Sequence, residues 1–130
     1  MKNEKKIIFF SLIVFIGIII LEIFINIYLK KTSSILISQI EKAKQYVENE
    51  QWNNAKSIIY DTCDRWNNIE EKWALITNHH EIDNITVSLK SAKEFIDSAE
   101  KPDALSSLEN LKHFISHIPK MEKLLLENIF

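Results

Sequence analysis

Residues 52–76 read WNNAKSIIYDTCDRWNNIEEKWALI. Trp52, Ile59, Trp66 and Trp73 recur every seven residues, and Ala55, Thr62, Ile69 and Ile76 form a second seven-residue row three places later. An α-helix makes a turn every 3.6 residues, so these two rows share one face. A stripe of this kind predicts a helix that packs along its whole length on other helices.

The pattern continues on both sides. Thr32, Ser33 and Ser34 offer a helix start. Ile35, Leu36, Ile37, Ile40, Ala43, Tyr46 and Val47 follow at helical spacing. A third helix is expected from about Glu81 to Ala99, with Ile82, Leu89 and Ile96 in one row and Ile85, Ala92 and Ala99 in the other. A fourth begins near Asp103, where Pro102 suits a helix start. It turns Ala104, Leu108, Leu111 and Ile115 inward. Pro119 is expected to break or kink it, because proline lacks an N–H and its ring crowds the preceding turn. A short amphipathic piece over 119–129 carries Met121, Leu124, Leu125 and Ile129.

Sliding the chain on itself by 49 residues aligns Ile40 with Leu89, Ala43 with Ala92, Lys44 with Lys93, Tyr46 with Phe95 and Val47 with Ile96. Further on, Ala55 meets Ala104 and Ile59 meets Leu108. The repeated unit is an αα-hairpin, over about 35–76 and again over 81–118. Its small Ala residues let paired helices approach closely. Two hairpins can share one core that a single hairpin cannot build, and the groove of such a pair is the expected binding surface. The fold expected for 32–130 is therefore all-α: four helices in two hairpins, plus the short C-terminal helix.

Upstream the chemistry changes. In Ile7–Leu29, 19 of 23 residues are apolar. A helix of that length is about 34 Å long and can cross a hydrocarbon core of about 30 Å. Residues 1–6 form a short basic tail with Lys2, Lys5 and Lys6, and Lys30 and Lys31 close the apolar run. The bulky residues around Phe24–Leu29 lack the small-residue site of a cleaved signal peptide, so an uncleaved anchor is expected. Lysines flank both ends almost equally. Translocating the basic tail is the costlier route, which favours a cytoplasmic N-terminus and an extracytoplasmic domain at the cell membrane. Residues 1–31 carry a net charge of +3 and residues 32–130 a net charge of −5.

This composition excludes several classes of protein. One Gly and two Pro leave no Gly-rich phosphate loop, one Cys leaves no internal disulfide, and the acidic domain disfavours nucleic acid. Histidine is the only catalytic type worth weighing. A metal or ligand site would draw His80 or Asp83 from one helix and His113 or His117 from another. Helix-end roles explain the same residues better: acids at 81 and 83 suit a first turn, and His117 can meet free carbonyls. The Trp row reads as core packing rather than a cation cage. Cys63 has no obvious local base.

Glu22 and Asn26 are the polar exceptions in the anchor, spaced i, i+4 on the face of Ser11, Phe15 and Ile18. Either they reach water near the interface, or they contact another membrane helix.

The anchor, the Trp52-to-Ala55 pattern, the run His80-Glu81-Ile82-Asp83-Asn84-Ile85 and the ending His117-Ile118-Pro119-Lys120-Met121-Glu122 resemble domain-of-unknown-function family 4363. The resemblance implies a short protein of spore-forming or related bacteria with an N-terminal membrane segment. It supplies no activity. The expectation is a non-enzymatic, cofactor-free interaction module with the lipid bilayer and a second protein as partners. A ligand- or metal-binding sensor domain is the alternative.

Overall fold

The computed structural model describes residues 1–129, with side chains through Lys120 and at Glu127 and Asn128. Among the described residues four helices follow one another: α1 Lys2–Glu48, α2 Trp52–Ile76, α3 His79–Asp97 and α4 Lys101–Ile129. Helix α1 packs on α2 and α4, and α3 packs on the same two. The hairpins α1–α2 and α3–α4 thus face each other as a closed bundle. Because α4 returns alongside α1 and α2 lies alongside α3, the two hairpins pack on each other along two seams.

The core follows the stripes. Ala43, Ala55, Ala92 and Ala104 are each fully buried, one per helix. Around them sit Leu36, Ile40, Ile59, Ile85, Ile96, Leu108 and Leu111, all buried. Each such aliphatic side chain contributes roughly 1.5–3 kcal/mol of transfer free energy. Trp66 and Trp73 are buried and meet edge to face, with ring centroids 5.5 Å apart. Trp52, at the start of the row, is only half-buried.

The 49-residue repeat is visible in the backbone. At the end of the α1–α2 hairpin's first helix, Glu50 N–H donates to Val47 at 3.0 Å and Gln51 N–H to Tyr46 at 2.8 Å. In the second hairpin, Ala99 N–H donates to Ile96 at 3.1 Å and Glu100 N–H to Phe95 at 2.9 Å. These are two copies of one Schellman turn, 49 residues apart. Its pivot takes a left-handed backbone, with φ 56° at Glu50 and 55° at Ala99. Ala99, expected in the inner row of α3, therefore lies beyond the helix and is exposed.

The α2–α3 connection differs. Thr77 is extended, and the Asn78 side chain caps α3 by accepting from His80 N–H at 2.8 Å.

Two expected boundaries are absent. The helix start at Thr32–Ser34 is instead the middle of α1, a helix of 47 residues and about 70 Å. The hydroxyls that would cap a new helix turn back on their own: Thr32 Oγ1 donates to the Tyr28 carbonyl at 2.8 Å, and Ser33 Oγ to that of Lys30 at 3.1 Å. Likewise α4 runs through Pro119. The proline removes the N–H that would meet the Ile115 carbonyl, yet Ile115 and Ile118 are buried on the bundle and hold the helix on course. The side chains of Met121, Leu124, Leu125 and Ile129 lie outside the described residues.

Candidate functional site

The lower half of α1 is bare. Phe9, Phe10, Phe15, Ile18 and Leu21 are each at least half exposed. This helix is long and apolar enough to cross a membrane. Higher up one side becomes covered: Ile19 is the first half-buried residue, Glu22, Ile25 and Asn26 follow, and Leu29 is fully buried. Leu29, counted above as the last residue of the anchor, thus belongs to the bundle core. The apolar run and the bundle overlap by about two turns of helix.

Glu22 and Asn26 share this overlap. Asn26 Nδ2 donates to the Glu22 backbone carbonyl at 3.1 Å, so its amide is partly satisfied within its own helix. The Glu22 carboxylate has no such partner among the described residues. The residue is half-buried, with exposed Leu21 and Ile18 below it.

The structure does not gather the histidines and acids. His80, Asp83, His113 and His117 are all exposed. His113 and His117 stack with centroids 6.1 Å apart on the outer face of α4. Among the described residues no group of three His, Cys, Asp or Glu side chains is placed to hold a metal ion.

Two seams join the hairpins, and sequence reasoning missed their chemistry. On the α1–α4 seam Lys44 donates to Glu109, and Lys112 pairs with Glu41 at 2.7 Å. On the α2–α3 seam Lys93 lies 4.8 Å from the centroid of Tyr60, whose hydroxyl donates to Asp97 at 3.0 Å. The Glu109 hydrogen bond holds Lys44 above its ordinary range, and Lys44 holds Glu109 below the usual carboxylate range. The bond to Asp97 raises Tyr60. Burial pushes the Cys63 thiol up, which the Lys93 charge partly offsets. A raised thiol is a poor nucleophile at neutral pH. The 49-residue alignment already pairs Lys44 with Lys93. Extended to Tyr60 and Glu109, it would have exposed both seams.

Indole N–H groups tie the layers together. Trp73 Nε1 donates to Thr32 Oγ1 on α1, and Trp66 Nε1 to Thr86 Oγ1 on α3, each at 3.0 Å. Thr86 in turn donates to Glu70 at 3.1 Å. These bonds identify the Trp row as framework.

At the lower end of the bundle a shallow cleft is lined by Phe24, Ile25 and Tyr28 of α1 and Lys72, Leu75 and Ile76 of α2. Leu75 is 87% exposed, far more than any other large apolar side chain of the bundle.

A family model described as Domain of unknown function (DUF4363) matches residues 23–129. No curated protein and no solved structure matches the chain. The matched region begins at the turn of α1 where the bundle starts to cover it.

Proposed function

This chain belongs to the DUF4363 family, and from that premise and the geometry above we propose that it is a membrane-anchored, non-enzymatic interaction module. Its bundle is an accessory to another membrane protein. The observation that carries this reading is the half-buried Glu22 at the upper end of the bare apolar stretch of α1. An ionisable side chain at that depth is expensive in lipid and normally faces protein or water. A polar group on a neighbouring span would satisfy it. The same face carries Ser11, Phe15 and Ile18, which line one shallow depression on α1. Lys2, Lys5 and Lys6 support a cytoplasmic N-terminus, with the acidic bundle on the far side.

Photo-crosslinking in native membranes tests it, with the crosslinker at Ile18 on the proposed face. A discrete adduct with one membrane protein, lost in Glu22→Leu, is the expected result. Adducts with lipid alone, or an adduct indifferent to Glu22→Leu, would refute the reading.

A further inference from the structure

We infer that the lower rim of the bundle, centred on Leu75 at the end of α2, is a lipid-docking edge that sits in the interfacial layer of the bilayer. The inference rests on the reading that α1 spans a membrane, and it adds a second, independent contact with that membrane.

If the bilayer ended where the bundle begins, at Glu22, the residues from Ile7 to Leu21 would have to cross it alone. They supply only about 22 Å at 1.5 Å per residue. A hydrocarbon core of about 30 Å needs about 20 residues, which carries its edge to about Asn26 or Ile27. That level already belongs to the bundle. Phe24, Ile25 and Tyr28 line one cleft with Lys72, Leu75 and Ile76. Because α1 runs unbroken from Lys2 to Glu48, no hinge in the backbone lifts the bundle away from this level. The end of α2 is therefore carried down to the membrane edge by the same helix that spans it.

The residues there fit the position. Leu75 is 87% exposed, on an element whose other large apolar side chains are buried or partly buried apart from Tyr60. The cleft it shares with Phe24 and Ile25 adjoins the bare stretch of α1, where Ile20 and Leu21, one turn below Phe24, are apolar and exposed. Lys72 on the same cleft, with Lys30 and Lys31 one to two turns above Phe24, can reach headgroup phosphates while their stems lie on apolar surface. A bilayer covers all of this surface at once.

The test uses the full chain with Cys63→Ser, reconstituted in phosphatidylcholine–phosphatidylglycerol vesicles. An environment-sensitive fluorophore is attached at Leu75→Cys, at Phe15→Cys within the span, or at Asn53→Cys at the opposite end of the bundle. Nitroxide-labelled lipids should quench the label at 75 and at 15, and aqueous iodide should quench only the label at 53. If the label at 15 meets lipid while that at 75 is quenched by iodide, the docking edge is wrong and the anchor stands. A label at 75 shielded from both quenchers means that protein covers the rim, which also overturns the proposal. If the label at 15 escapes lipid quenching, the anchor fails and the docking edge with it.

Discussion

Lys44 on α1 donates to Glu109 on α4, and its repeat equivalent, Lys93 on α3, lies over Tyr60 on α2. Tyr60 and Glu109 are themselves 49 residues apart. A contact from the first copy to the second is thus mirrored by one from the second to the first. That exchange is the signature of a pseudo-two-fold axis between the hairpins. The bundle is built as an internal dimer, and each lysine bridges to the other hairpin through whichever acceptor stands there, a carboxylate or an aromatic face.

The α1–α4 ion pair is exposed, so its contribution is small and screened by salt. Glu109 has its pKa lowered in the folded chain. Its contribution is present above the ordinary carboxylate range and is lost as pH falls through the lowered value. Lys44 has its pKa raised, so its contribution is present below the ordinary lysine range and is lost as pH rises through the raised value. Glu109→Gln should therefore lower Tm slightly at neutral pH, with the difference vanishing in acid. It should also vanish at about 1 M salt, where the Debye length is about 3 Å. Thermal melts of both forms across pH and salt check this.

The two left-handed pivots are non-glycine residues at φ 56° and 55°. A side chain in that region costs about 1–2 kcal/mol, and glycine gives back part of the gain through its freer unfolded chain. Ala99→Gly should raise stability by about 0.5–1 kcal/mol in denaturant titrations. Glu50→Gly should gain less, because it also removes the weak 3.9 Å pair with Lys101.

Trp73 combines burial with a bond to Thr32. Trp73→Phe should cost about 1 kcal/mol or somewhat more, through the lost hydrogen bond and some volume. Trp73→Ala should cost about 3–5 kcal/mol through the cavity. Both are measurable by denaturant unfolding followed by circular dichroism.

Pro119 sits inside α4 without ending it. Pro119→Ala restores an N–H to the Ile115 carbonyl and should stabilise the chain by up to about 3 kcal/mol. A destabilised Pro119→Ala would mean that the proline shapes a bend the bundle requires.

Much of this architecture is legible in the chain. The heptad rows of α2, the four buried alanines and the hairpin repeat all follow from periodicity, because only helices place those residues on one face. What is not legible has physical causes. Thr32–Ser34 carry hydroxyls that cap a helix start or bond back within a continuous helix, and only packing on α2 and α4 decides between them. Leu29 is equally at home in lipid and in a protein core, so the upper end of the apolar run could not be placed from composition. Pro119 disfavours a helix locally, but the buried Ile115 and Ile118 override it. Of the site residues, Glu22 and Asn26 stand together on α1, joined by a hydrogen bond to the backbone. His80, Asp83, His113 and His117 share the α3–α4 half of the bundle yet point outward, since α3 and α4 use their inner faces for aliphatic packing.

In the structure α1 is one unbroken rod from the apolar run into the bundle, and both the Glu22 contact and the docking edge require it. Spin labels at Lys5→Cys and Glu48→Cys, in the Cys63→Ser chain reconstituted in bilayers, read that directly by pulsed dipolar spectroscopy. At 1.5 Å per residue the two positions should lie about 65 Å apart, in a narrow distribution. A broad distribution centred well below that value would mean a hinge near Thr32–Ser34. The bundle would then be tethered to the membrane rather than fixed upon it, contradicting the account.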